Sequence, residues 1–547
     1  MRVGGFRYSR AQIVDVDVME KRLGSLPVIA EFSRRLDIAG VIDRCAPIRD
    51  IAYATHGQVI EILVANRLTS PKAMVGVMGW AKGWAVGETY GVRAGVLGDD
   101  RLARALDAIA PHTEQIIGSI GAKAIDAFGI DVARLHWDMT SISLYGAYEA
   151  PEDAYAAPGY GHPKDRRTDL KQIQAGIAVS ADGGIPVWHR AYDGGAGEIA
   201  QVVDAMTHLK TLAGTRDFLM IGDSKLISYG NVTAMAGQQV TFIAPLAAAR
   251  VPQGLFASLD AAQTAVVEYV AQRDEGKPAD QRCVYRVCED THELAGARKR
   301  DPVIGLRRIL VHSSANQSAA ANNRAAKLAR AQADLDKLVR TAGSRHHPDH
   351  AAVAGKAADI ARSRKVLAYL KTDIGTTPEG TPTFAWTFDQ GAIDAEAESD
   401  GWYALLTNLH PDHADTAEVL RRYKAQPTVE RRYGTIKGPL AVAPIFLQHN
   451  RRITALITVI CLALLIFCLI EREVRRNLAP ETEIVGFYPQ DNRGMRPTGR
   501  LILEALNDWL RLIPAHGNRP PRIPKPGWLQ QQLLDLLDVD ITRLARG

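Results

Sequence analysis

The chain has 547 residues, of which 46% are apolar and 23% charged; this excludes wholesale disorder and calls for several folding units rather than one core. The 66 basic against 61 acidic residues leave a net charge of +5, so any surface for a polyanionic partner must be local. Five cysteines (Cys45, Cys283, Cys288, Cys461, Cys468) and an N-terminus without an apolar leader argue against a secreted disulfide framework and for a cytoplasmic protein.

Residues 1–130 are expected to form a helical N-terminal domain, because apolar residues recur at helical spacing in VIAEFSRRLDIAGVID and GQVIEILVANRL. Arg34, Arg35 and Arg44 fit either a DNA-reading helix-turn-helix or a dimerisation bundle, and the pattern does not separate the two. From residue 131 to 246 short strand-like runs take over: ARLHWDMTSISLYG, QIQAGIAVSADG and IPVWHRAYDGG, the last two joined through Asp182-Gly183-Gly184 as a hairpin. A helix (GEIAQVVDAMTHLKTLA), the buried strand DFLMIGD, a short helix at Asn231–Gly237 and the strand VTFIAP complete the order β-β-β-α-β-α-β. That order, with a carboxylate in the first strand and another closing the fourth, is the arrangement of ribonuclease H-like nucleotidyl-transfer folds. The fold class expected is therefore mixed α/β and multidomain.

Residues 247–398 read as an inserted domain, with strand-like CVYRVC and RRILVHSS followed by Lys/Arg-rich helices at about 318–341 and 350–371. The catalytic domain resumes over 399–476 with DGWYALLTN, TAEVLRRY and PTVERRYGTIKG. It ends on Ile453–Ile470, eighteen residues without a charge. This run has the length of a minimal membrane span, but it is single and interrupted by Thr454 and Thr458, so a helix buried in the protein is expected and no membrane. Residues 477–547, rich in Pro/Gly connections, read as a loosely attached tail.

Three carboxylates stand out by position: Asp138 in LHWDMTS, Asp223 ending FLMIGD, and Glu430 in PTVERRYGTIK. Phosphoryl transfer between DNA strands uses two Mg²⁺ ions about 3.5–4 Å apart, and carboxylates are the hard ligands these ions prefer. Tyr423, Glu430 and Lys437 are spaced by seven residues; Glu430 and Lys437 then share a helix face about 10 Å apart, the acid reaching metal and the lysine a phosphate. Pro427 suits the first turn of that helix, leaving Tyr423 before it.

This segment resembles the insertion-sequence DDE transposases whose third catalytic region reads Tyr-x2-Arg-x3-Glu-x6-Lys. The sequence has Tyr423, Glu430 and Lys437 at those spacings, with Gln426 in place of the arginine. Lys424, Arg431 and Arg432 are nearby cations able to substitute for the missing charge. The resemblance extends over most of the chain in the order of its parts. It implies that Asp138, Asp223 and Glu430 are catalytic and hold two Mg²⁺, with Mn²⁺ able to substitute, and that Tyr423, Gln426, Arg431 and Lys437 contact DNA. It implies binding of terminal inverted repeats and target DNA by a homodimer. Water would attack the phosphodiester at the element's end, and the freed 3′ hydroxyl would attack another. An inactive DNA-binding relic of such an enzyme is the alternative that Gln426 keeps open.

Other features compete. Gly195-Ala196-Gly197-Glu198-Ile199-Ala200 matches a dinucleotide-binding G-x-G-x-x-A and raises a nicotinamide-dependent oxidoreductase, but the strand before it is expected in a hairpin rather than in a parallel βαβ unit. Cys283 and Cys288, five apart in a strand, point to opposite faces and cannot chelate together. The clusters His346-His347-Pro348-Asp349-His350 and His410-Pro411-Asp412-His413 are read as turns. Arg298-Lys299-Arg300, Arg307 and Arg308 fit a DNA path or solvated faces equally, and Trp386 and Trp402 fit core packing better than base stacking.

Overall fold

The structure is a computed structural model that describes residues 20–541 apart from 147, 149–151, 153, 164–165, 215, 261, 263, 426, 439, 441–446, 489–492 and 514–521. Strand β1 (Lys21–Arg22) precedes helices α1 (Leu26–Arg35), α2 (Ile38–Cys45), α3 (His56–Thr69), α4 (Met74–Gly83), α5 (Val86–Tyr90), α6 (Asp99–Ile109) and α7 (Thr113–Phe128). Next come β2 (Arg134–Ser143), β3 (Gln172–Ser180), β4 (Pro186–Tyr192), α8 (Glu198–Ala213), β5 (Leu219–Ile221), α9 (Tyr229–Gly237) and β6 (Thr241–Pro245), in the β-β-β-α-β-α-β order that the sequence predicts. They are followed by β7 (Ala265–Val267), β8 (Tyr285–Leu294), β9 (Ile304–Ser313), α10 (Ser314–Thr341), α11 (His350–Arg364), β10 (Leu370–Thr376), β11 (Pro382–Phe388), α12 (Gln390–Ala397), β12 (Trp402–Thr407) and α13 (Thr416–Tyr423). The chain closes with α14 (Pro427–Lys437), α15 (Asn450–Leu478), α16 (Gly499–Trp509), β13 (Arg511–Leu512) and α17 (Trp528–Leu537). Contacts group these elements into two compact units, Met1–Phe218 with Pro427–Gly547, and Leu219–Gln426.

In the first unit β2, β3 and β4 form an antiparallel meander in which Asp138 faces Ile177 and Ile177 faces His189. Nearly every residue of β2 and β3 is buried, as expected of strands covered on both faces. Helices α7 and α15 pack on β4, and α14 packs on β2 and β3. Helix α3 starts where the sequence caps it: Thr55 and Gln58 form a reciprocal capping box, with the Gln58 amide donating to Thr55 Oγ1 at 3.1 Å and the Thr55 amide to Gln58 Oε1 at 2.9 Å.

The apolar run Ile453–Ile470 lies inside α15, where its most apolar window is 94% buried. It packs on α3, α6, α17 and β4, so this helix spends its apolar surface on protein from all sides. The segment after 477, expected as a loosely attached tail, puts several of its described residues into the core. Ile502, Leu506 and Leu512 are fully buried, β13 pairs with β1, and the Ser25 amide and hydroxyl donate to Asn507 Oδ1 at 2.9 and 2.7 Å. Its leucine spacing, rather than its Pro/Gly connections, decides this.

In the second unit β5 runs parallel to β6, and β6, β12, β9, β8 and β7 continue antiparallel. Strands β7 to β9, expected inside an inserted domain, thus share a sheet with β6 and β12. Helices α10 and α11 with β10 and β11 build a separate core around Leu335, Leu338, Val353 and Phe384. Arg307 and Arg308 make paired contacts to Glu289 and Asp290 between 2.5 and 2.8 Å, so these two guanidiniums are committed within the sheet rather than to a DNA path. Trp386 packs edge-on against Phe388, and Trp402 stacks on Phe256 and meets His312. Asp349 caps α11 through the Ala352 amide at 2.8 Å, and His410 and Asp412 face each other at 3.3 Å in a turn.

His189 on β4 is buried, with Nε2 3.3 Å from Thr458 Oγ1 of α15, and burial lowers its pKa to about 3. Its folded value lies below the unfolded one near 6.5, so the stability it permits is present above pH 6.5 and is lost as pH falls toward 3. Urea unfolding at pH 7.5 and pH 5 is expected to show an acid-induced loss about 2 kcal/mol larger in the wild type than in His189→Leu; equal losses would mean that His189 does not set this dependence.

Candidate active site

Asp138 sits in the middle of β2 and is only 6% exposed, its carboxylate accepting the Met139 amide at 2.8 Å. The strand holds it there because its neighbours Trp137 and Met139 are buried apolar side chains, which fix the register of the pleat. Within the first unit Glu198 approaches it: one carboxylate oxygen of each lies within 4.8 Å of the other. Glu198 is the first residue of α8, after Gly197 at the N-cap. A carboxylate is favoured there by the helix dipole, but this one is 8% exposed rather than solvated. Ionised together at such a distance, two carboxylates repel by about 3 kcal/mol at an effective dielectric of 20.

Helix α14 covers this part of the sheet with one face and leaves the other outward. Val429, Arg432, Tyr433 and Ile436 are buried; Glu430, Arg431 and Lys437 are exposed. Tyr433 donates its hydroxyl to the backbone carbonyl of Asp138 across 295 residues of sequence. Burial first, and then the charges of Asp138 and Glu198, push this phenol well above its ordinary pKa, so it stays a donor. Arg432 donates Nε to Gly184 O at 3.0 Å, and its Nη2 to Gly183 O and to Glu471 Oε1, the latter at 3.2 Å. Of the cations near Gln426, Arg432 is therefore spent inside the fold. In the second unit Lys424 lies 4.4 Å from the Tyr285 ring centroid and 5.1 Å from that of Tyr403, with burial lowering its pKa to about 8. Arg431 is the exposed one.

The expected site residues thus fall as follows. Asp138, Glu430, Arg431 and Lys437 belong to the first unit, and the helix of the last three is seated on the strand of the first. Glu430 is not part of the close grouping of carboxylates at Asp138. Asp223 and Tyr423 belong to the second unit. Asp223 directly follows β5 and Gly222, accepts the Lys225 amide at 2.8 Å, and has Lys225 Nζ at 3.9 Å; Tyr423 is partly buried against the sheet core. Gln426 lies outside the described residues. Glu198 was legible in the sequence only as part of the G-x-G-x-x-A match, and β4 before those glycines pairs antiparallel with β3, which removes the parallel βαβ unit that a dinucleotide fingerprint needs. The usable signal was an acid opening the helix after the third strand. Among the described residues, no group able to hold a metal includes Cys283, Cys288 or the two histidine clusters.

Residues 18–120 match the family model of a domain of unknown function (DUF4277). No curated protein matches the chain. Among solved structures, the chain is similar to that of a piggyBac transposase synaptic complex with hairpin DNA, determined by cryo-EM, at a TM-score of 0.39 and 8% identity over 88% of this chain and 79% of that one.

Replacing Arg432 with leucine leaves Glu471 and two turn carbonyls buried around a missing charge. It is expected to cost about 3–5 kcal/mol in chemical unfolding, and Arg432→Lys to recover little of that, because an ammonium does not span the fork. A leucine variant as stable as the wild type would show that the pair does not hold α14.

Proposed function

We propose that the chain is a DNA transposase that binds the ends of a mobile element and carries out metal-dependent DNA cleavage and strand transfer. The observation that carries this reading is the seating of α14 on β2. The helix bearing the Glu-x6-Lys spacing is fastened, through Tyr433, to the backbone of the strand residue Asp138, and its outward face presents Glu430, Arg431 and Lys437.

In this reading Asp138, Asp223 and Glu430 are the catalytic carboxylates and hold two Mg²⁺, with Mn²⁺ able to replace them. The donor chemistry fits: the ligands are all oxygen, and the buried carboxylates near Asp138 are a repelling arrangement that a divalent cation turns favourable. When bound, the cations activate the attacking oxygen and stabilise the departing one. The chain itself supplies the rest. Strand β2 holds Asp138 rigid, Tyr433 fixes the helix above it, and Arg431 and Lys437 offer cationic contacts for phosphate. Tyr423 and Gln426 also contact DNA in this reading, with Arg431 taking over the charge that Gln426 lacks. Because transposition joins two ends, a homodimer acting on terminal inverted repeats and target DNA in the bacterial cytosol completes the proposal.

The test is cleavage of labelled DNA carrying the flanking ends, with Mg²⁺ or Mn²⁺, by wild type, Asp138→Asn and Glu430→Gln. Metal-dependent nicking that falls about 100-fold or more in both variants is expected. Equal activity in Glu430→Gln would remove that residue from the mechanism, and end-specific binding without cleavage would make the chain a DNA-binding relic.

A further inference from the structure

Glu198 is absent from the Tyr-Arg-Glu-Lys signature, yet its carboxylate groups with that of Asp138 within 4.8 Å, and Glu430 is not part of that grouping. Acids in the first turn of a helix are common and normally solvated, since the dipole acts on them without burial. Glu198 is instead nine-tenths buried, and its carboxylate is aimed at another buried carboxylate within 4.8 Å. The route of the chain enforces this. After β4 the backbone passes so tightly over β3 that a Cβ on Gly194 would lie 2.1 Å from Gln172 O and 2.5 Å from Gly159 N; only glycine fits there. The turn then delivers Gly197 as N-cap and Glu198 as the first helical residue. Tyr433, from a third element, covers the same spot: it is buried, and its phenol feels the charges of both Asp138 and Glu198. Strand β2, the start of α8 and helix α14 converge here, and the arrangement gathers negative charge in a place that water barely reaches.

We infer that Glu198 is a further carboxylate ligand of the divalent-cation centre at Asp138, and that it lets the protein load a cation before DNA arrives. The inference rests on the proposed centre but adds a residue and a state to it. Mg²⁺ held by one or two carboxylates usually completes its shell with substrate phosphate. A second buried carboxylate facing Asp138 raises the negative charge available without DNA, so cation binding no longer waits for the phosphate. The cation in turn offsets the repulsion between the two acids, which makes loading a stabilising event for the fold.

The experiment uses the full chain without DNA. Mn²⁺ binding is followed by calorimetry, and the Mn²⁺-induced rise in melting temperature is measured in wild type, Glu198→Gln, Glu198→Asp and Asp138→Asn. Glu198→Gln is expected to weaken Mn²⁺ binding about 10-fold or more and to abolish most of the thermal gain, while its metal-free melting temperature stays equal to or above that of wild type because a buried like charge is gone. Glu198→Asp, which keeps the charge on a shorter stem, is expected to retain part of the binding. A Glu198→Gln protein that melts lower without metal yet binds Mn²⁺ as wild type does would overturn the inference and make Glu198 a structural helix cap. If Asp138→Asn alone loses Mn²⁺ and DNA cleavage, the proposed centre stands without Glu198; a wild type that neither binds Mn²⁺ nor cleaves DNA removes both.

Discussion

A single buried guanidinium orders the part of the first unit on which the candidate site depends. Arg432 reaches the two carbonyls of the β3–β4 turn and the carboxylate of Glu471. Glu471 also accepts Arg475 Nη1 at 2.9 Å and the amide of Gly499 at 2.8 Å. The turn can present its carbonyls because Gly183 and Gly184 adopt φ of 77° and 64°, a conformation that costs glycine nothing. Burying this much charge is tolerable only because each group has its partner. The consequence is directional: with Arg432 anchored, Tyr433 meets the Asp138 carbonyl, and Glu430, Arg431 and Lys437 face outward from the same helix.

The long apolar helix does related work by a different force. Composition alone makes α15 long and apolar enough to cross a membrane. In the structure it is surrounded by α3, α6, α16, α17 and β4, and its ends are tied by ion pairs: Arg451 and Arg452 meet Asp107 at 2.8 Å, and Arg472 meets Asp182 at 2.6 Å. The last of these returns to the β3–β4 turn that Arg432 also holds. Hydrophobic burial thus sets the helix in place, and charge pairing fixes how it meets the sheet.

The chemistry of the site follows from what each element can bury. A strand covered on both faces accepts an acid only where something compensates it: Asp138 accepts the Met139 amide, and a divalent cation is the further compensation we propose. Helix α14 divides its labour by face: Val429, Arg432, Tyr433 and Ile436 serve the fold, while the residues of the Glu-x6-Lys spacing are left accessible. Of the three cations that the sequence sets near Gln426, Arg432 and Lys424 are buried or half-buried and Arg431 is exposed.

Periodicity by itself determined the helical N-terminal region, the β-β-β-α-β-α-β order, the hairpin through Asp182-Gly183-Gly184 and the buried state of the apolar run, because each of these is set by residues near in sequence. It also determined that Glu430 and Lys437 share one helix, since that needs only 3.6 residues per turn. Only the tertiary structure decided that β7 to β9 share a sheet with β6 and β12, that the C-terminal segment belongs to the core, that Arg307, Arg308 and Arg432 are bound up in ion pairs, and that Glu198 faces Asp138. The physical reason is the same in each case. A carboxylate or guanidinium carries no sequence mark of its partner, and the partner here is brought from 18 to 60 residues away by strand pairing and packing, or, for Arg432, from as far as 249.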